Sequence, residues 1–176
     1  MADASTKERP RLYHALGLGV FACAIACFLA SAISWDLTAR IVSEILKIAG
    51  VSVDYVIPIR VMYCRLSDGT VVGFEFLIEC SGLITVGVFT LIAVFTVGLL
   101  GGSLWVKSVW LLAGVSVGLL WNVSRLALVV IAAYNFGLGA FSLIHYVLAP
   151  FIDFLWIVAV WSVGMSLAKV SEGEHR

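Results

Sequence analysis

The stretch IECSGLITVGVFTLIAVF, Ile78–Phe95, sets a glutamate and a cysteine at the threshold of a long apolar run. A second run, WNVSRLALVVIAAY (121–134), carries Arg125 in its interior. Apolar runs of about 18 residues or more are long enough to cross a bilayer as helices. Lipid penalises a mid-span arginine by at least ~2.5 kcal/mol, so Arg125 needs a reason to be there. The surrounding composition is of the same kind. Of 176 residues, 62% are hydrophobic and only 12% charged, roughly half the charged share of a soluble domain, and mean hydropathy is +1.09. These features predict an all-α polytopic membrane protein. Eleven basic residues balance eleven acidic ones. With no basic face to neutralise phosphates, the composition argues against nucleic acid as a partner.

Four spans account for the hydropathy, at about 12–34, 80–100, 108–134 and 142–169, packed as a four-helix transmembrane bundle in a single membrane domain, 1–176. Lys7, Arg9 and Arg11 before the first run suit a signal peptide. That run, however, exceeds a signal h-region, and Ala30-Ser31-Ala32 is a weak cleavage site, so a retained span is expected. Neither end shows a lipidation motif. Gly101-Gly102-Ser103 and residues 135–139 read as tight connections. Basic residues at 7–11, Lys107 and Lys169 put both termini and the short loop on the cytoplasmic side. Segment 35–79 is then outside. Its own four basic residues oppose this mildly, because long loops weigh less in the rule.

Within that segment, DLTARIVSEILKIAG (36–50) has Leu37, Ile41, Ile45, Leu46 and Ile48 at helical spacing, with Gly50 as a stop. An extracytoplasmic amphipathic helix lying on the membrane lipids is expected there. VSVDYVIPIRVMYCRL (51–66) and TVVGFEFLIE (70–79) are β-rich and flank Ser67-Asp68-Gly69, which predicts a β-hairpin feeding into Cys80. No internal repeat or low-complexity tract stands out.

Of the four cysteines, Cys23 and Cys27 lie four apart in the first span, where inert packing is expected. Cys64 lies in the outer segment and Cys80 at a span boundary. The chain has no CxxC and no His/Cys cluster at zinc spacing, so neither a metal nor a cofactor is expected. A Cys64–Cys80 disulfide in an oxidising exterior is an open alternative.

Cys80 opens the second span and His145 falls in the first turn of the fourth. Arg125 lies about 13 Å inward from the outer end of the third, within partial reach of that surface by snorkelling. A thiol, a guanidinium and an imidazole on three helices thus aim at one leaflet. That set permits nucleophilic thiol catalysis. A helix start and a nearby cation favour the thiolate, and Ser81-Gly82 offers free N–H groups for an oxyanion. His145 takes the thiol proton and returns it to a leaving amine. Glu79 would oppose the thiolate if it pointed inward, so it is expected to face water or a loop. The rival reading of Arg125 is a structural ion pair with Asp153, which lies at matching depth eight residues past His145; such a pair also leaves room for catalysis by holding Arg125 in place. Gly114, Gly118, Asn122 and Arg125 share one helix face, small at one end and polar at the other, as a face packed into a bundle requires.

ECSGL (79–83), NVSR (122–125) and His145 ahead of the last span resemble the exosortase/archaeosortase family over about 71–168. The resemblance implies a membrane-embedded cysteine transpeptidase or protease. Its partners would be exported proteins ending in a short motif, a transmembrane helix and a basic tail. It implies Cys80 as nucleophile, Arg125 as anion stabiliser, His145 as third member and Asn122 as support for Arg125. It also implies a multi-pass protein of the cell membrane with its site on the extracytoplasmic side, the acceptor being an amine or water. Many members have more spans, so a four-span chain would be a short form. Two readings of other classes stand beside it: a non-enzymatic scaffold or assembly subunit with a structural Arg125–Asp153 pair, and a quinone-reducing four-helix redox enzyme, disfavoured by the missing CxxC.

Overall fold

The computed structural model describes residues 5–77, 82–100 and 103–173. The axis of the molecule is α4, Leu104–Phe136, whose 33 residues contain no proline and extend about 50 Å at helical rise. Before it come α1 (Ser5–Leu29), α2 (Ala32–Ile48), three strands and α3 (Leu83–Phe95). After it, α5 (Leu138–Leu143), a π-helical segment (Ile144–Leu148) and α6 (Ala149–Gly173) run on as one rod. Two helices, α4 and Leu138–Leu167, are long and apolar enough to cross a membrane, and a third crossing arises if α1 and α2 form one bent span. The chain is a helical membrane protein.

The span expected at 12–34 is interrupted. α1 ends at Leu29 and α2 leaves it at 64°. Ser31 makes the break: its hydroxyl donates to the Phe28 carbonyl at 2.6 Å and accepts from the Ser34 N–H at 3.3 Å, capping a new helix. The amphipathic helix therefore starts at Ala32, not Asp36. It turns Ser34, Thr38, Ala39, Val42, Ser43 and Leu46 inward. Ile33, Leu37, Ile41, Ile45 and Ile48 stay exposed. Leu46, grouped with that apolar stripe by spacing, belongs to the inner face.

The run expected as a span at 80–100 yields only the 13 residues of α3, about 20 Å against a hydrocarbon core of ~30 Å. The ladder ends because the Thr96 hydroxyl bonds back to the Ile92 carbonyl at 2.6 Å and the Gly98 N–H turns to Ala93. Lys107, expected in a loop, is instead in the first turn of α4 and buried. Its ammonium donates to the carbonyls of Gly98 and Leu100, which the end of α3 leaves without helical partners. At the other end of α4 the expected connection over 135–139 shrinks to Gly137. Its φ of +78° with ψ of −177° is a backbone state that L side chains rarely adopt. The last long helix accordingly begins at Leu138, four residues early.

The fold is not purely helical. β1 (Val53–Val56), β2 (Val61–Arg65) and β3 (Val71–Glu75) form an antiparallel sheet in the order β1-β2-β3, with Val53 opposite Cys64 and Cys64 opposite Val72. Pro58 and a left-handed Arg60 (φ 52°) split the run 51–66 into two strands, so a three-stranded sheet replaces the expected two-stranded hairpin. The Tyr55 hydroxyl ties the sheet to α2 by donating to Asp36 at 2.8 Å.

Two hydrophobic cores result, and α4 threads both. Leu111 and Val115 pack with Leu18 and Leu29 of α1 and with Val86 and Phe89 of α3. Farther along, Leu126, Ala127, Val130 and Ala133 pack against Ala39, Val42 and Leu46 of α2, against Met62 and Cys64 of the sheet, and against Phe76 just past β3. Asn122 and Arg125 fall where α4 passes from one core to the other.

Candidate functional site

The approach of three helices at this junction depends on small residues. A Cβ on Gly114 would meet Phe89 at 2.7 Å and Val160 at 3.0 Å; one on Gly118 would meet Trp156 at 2.7 Å and Val86 at 3.2 Å. Without side chains there, α4 closes on α3 and α6, and the polar end of the same face is drawn into protein. The sequence pattern of Gly114, Gly118, Asn122 and Arg125 pointed to this face.

Arg125 and Asp153 form an ion pair at 2.9 Å, each side chain only 12–13% exposed. The carboxylate accepts from three side chains, two on α4 and one on α3. Oδ2 takes Arg125 Nη1 at 2.9 Å and Thr85 Oγ at 3.0 Å, and Oδ1 takes Trp121 Nε1 at 2.6 Å. A buried carboxylate needs such a set, because a single partner does not offset its desolvation. Arg125 Nη2 donates to Asn122 Oδ1 at 3.1 Å, and Asn122 is buried. Thr85 and Trp121 escaped the sequence reading: a threonine and a tryptophan inside apolar runs give no sign of a distant carboxylate.

Among the described residues three buried side-chain polar atoms remain without partners: Trp156 Nε1 and, at this site, two more. Arg125 Nε and His145 Nδ1 are buried and make no hydrogen bond. Buried polar atoms are ordinarily paired, so both invite a ligand. His145 lies in the π-helical segment, two turns into its helix rather than in the first turn, and stacks on Phe141 with ring centroids 5.2 Å apart. π-helical turns recur at functional sites because the extra residue re-aims a side chain.

Arg125, His145, Asp153 and Thr85 line one cavity of about 580 Å³ together with residues 72–77 of β3 and its extension. Glu79, Cys80 and Ser81 lie outside the described residues. The described chain resumes at Gly82, which caps α3 with φ +79° and whose added Cβ would lie 3.2 Å from Asn122. The positive φ favours glycine there, and any side chain would press on Asn122. On either side of the undescribed stretch, then, Leu77 lines the cavity and Gly82 abuts the asparagine that holds Arg125.

Cys64 is fully buried, carries a free thiol, and burial pushes that thiol's pKa up. Cys23 and Cys27 are free and exposed on α1. Among the described residues no three His, Cys, Asp or Glu side chains are grouped to hold a metal ion.

Comparisons with protein-family models, with curated proteins and with solved structures each give no match. The fold and site define a helical membrane protein with a partly polar cavity at the joint between its two cores.

Proposed function

We propose that the chain is a membrane cysteine transpeptidase or peptidase of the exosortase/archaeosortase kind. It acts on exported proteins whose C-terminus carries a short motif, a transmembrane helix and a basic tail. On this reading α3 is a short fourth crossing, both termini are cytoplasmic, and the cavity opens to the extracytoplasmic side of the cell membrane. One observation carries the proposal: Arg125 and His145, each with a buried polar atom that makes no hydrogen bond, line one cavity together with Leu77 and Ile84, which flank Cys80 in sequence.

The chemistry follows from those groups. His145 accepts the Cys80 proton, and the thiolate attacks the scissile carbonyl to form a C–S bond. The carbonyl oxygen becomes an oxyanion, which an N–H of Arg125 stabilises. Collapse breaks the C–N bond, His145 protonates the departing amine, and a thioester remains. An acceptor amine or water then attacks the thioester and releases the thiol. Asp153, Thr85, Trp121 and Asn122 act by holding the guanidinium, whose Nε they leave free.

A second reading has its own support. The Arg125–Asp153 pair with its three-way acceptance is what a scaffold subunit needs to lock α3, α4 and α6 together. The two readings separate on the thiol. A membrane-impermeant maleimide should label Cys80 from the outer face, and Cys80→Ala should abolish cleavage of a co-expressed substrate bearing the three-part tail. Cys64, buried with a raised pKa, and lipid-level Cys23 and Cys27 should stay unlabelled. Unimpaired cleavage by Cys80→Ala would overturn the enzyme reading in favour of the scaffold.

A further inference from the structure

β3 is an edge strand. The Phe76 N–H donates to the Arg60 carbonyl at 2.9 Å and the Thr70 carbonyl accepts from Leu66 at 2.8 Å. These bonds set the parity of the strand. Even-numbered residues turn their main-chain groups toward β2, so Val71, Gly73 and Glu75 point theirs away from the sheet. Among the described residues, none of those three makes a main-chain hydrogen bond beyond the sheet, and all three are exposed. The strand has no proline or lysine to blunt such an edge.

This open edge belongs to the cavity. Residues 72–77 line it together with Arg125, His145 and Asp153. Five strand steps along these residues cover about 17 Å. Phe74, facing inward, packs against Phe141, which also contacts His145 and Tyr146.

We propose that the cavity takes its substrate as an extended peptide that adds to β3 as a fourth strand, bringing one of its carbonyls to Arg125 and His145. This deepens the peptidase reading and rests on it. The groups left open decide the occupant. A lipid chain offers nothing to the outward N–H and C=O groups of β3, nor to the guanidinium and imidazole that line the cavity. An extended peptide offers alternating donors and acceptors at the strand's own repeat. Recognition by strand addition also lets the main chain supply affinity while every second side chain of the motif is read against the cavity wall.

The test uses the full chain in lipid nanodiscs. The probe is a pool of randomised peptides of about six residues, each followed by a Leu/Ala helix of roughly 20 residues and a lysine tail. Amide hydrogen exchange is read on the Cys80→Ala chain, and cleavage of the same pool on the chain that retains Cys80. With the pool present, the Val71, Gly73 and Glu75 amides should slow together by roughly tenfold or more, while those of Val72 and Phe74, already bonded to β2, hold their rates. Glu75→Pro, which removes one outward N–H, should weaken peptide binding roughly tenfold, and Glu75→Gln, which keeps that N–H, should weaken it far less. Cleavage without slowing of the three amides would overturn strand addition and leave the peptidase reading standing. Slowing without cleavage would support strand addition and overturn the peptidase. Neither effect would overturn both. Slowing without peptide that rises with protein concentration would identify a second copy paired along β3, and would also overturn the proposal.

Discussion

Arg125 engages Asp153 through one terminal nitrogen and Asn122 through the other, and leaves its buried Nε–H without a hydrogen bond. Lysine cannot reproduce this, because a compact ammonium lacks the planar fork that serves two acceptors in fixed directions. Arg125→Lys should therefore lower substrate cleavage by roughly 100-fold, the usual effect of losing one oxyanion donor, with membrane abundance retained. Arg125→Leu alone leaves Asp153 buried with only neutral donors and should destabilise the bundle by about 3–5 kcal/mol, read as lost abundance. Adding Asp153→Leu should bring abundance back but not cleavage. Normal cleavage by the folded double variant would restrict Arg125 to a structural role. At this scale the pair itself was legible from matching depth on two helices. The Thr85 and Trp121 donors were not, because no pattern in a single chain marks which distant side chains turn toward one carboxylate.

Packing between elements rests on the glycine face of α4. Gly118→Leu would drive a side chain into Trp156 and Val86, which lie 2.7 and 3.2 Å from where even a Cβ would sit. Forced separation of α4 from α6 should reduce the folded fraction in membranes sharply, measured as detergent-resistant yield, since overpacking typically costs 1–3 kcal/mol, about as much as many domains can spare. The sheet is attached to α2 by a different device. Burial, the hydrogen bond to Asp36 and that carboxylate's charge raise the Tyr55 pKa to about 12. The folded state thus holds the phenol proton more tightly than the unfolded chain does. The resulting stability is fully present below about pH 10, the ordinary tyrosine value, and is lost as pH rises through about 12. Tyr55→Phe should remove that part of the alkaline fall, read as the unfolding midpoint followed from pH 9 upward. The helices of this chain were readable from apolar length and the β-rich segment from its composition. Their ends were not, because Ser31, Thr96 and Pro58 act through local hydrogen bonds and ring geometry that hydropathy does not register.

For the whole molecule, the proposed topology makes a direct prediction: a reporter fused after Arg176 should read as cytoplasmic, and one inserted at Asp68, at the turn between β2 and β3, as external. An external C-terminus would put the cavity on the wrong side for a sorting enzyme. Lys107, part of the charge argument for that orientation, is occupied by the carbonyls at the end of α3, so the reporter weighs more than the charge pattern. The sequence alone determined that the chain enters membranes, since two long apolar helices are a matter of length and composition. It also singled out Arg125 with Asn122 and Asp153, since lipid tolerates so few polar residues that each one is conspicuous. Only the tertiary structure decided that α1 and α2 part at 64°, that α3 stops after 13 residues, and that a three-stranded sheet packs on α2 and α4. It alone brought the open edge of β3 into one cavity with Arg125 and His145. The physical reason is range. Burial in lipid and helix formation are set by neighbours a few residues apart, whereas a cavity wall is assembled from strands and helices that meet only once two separate cores have formed.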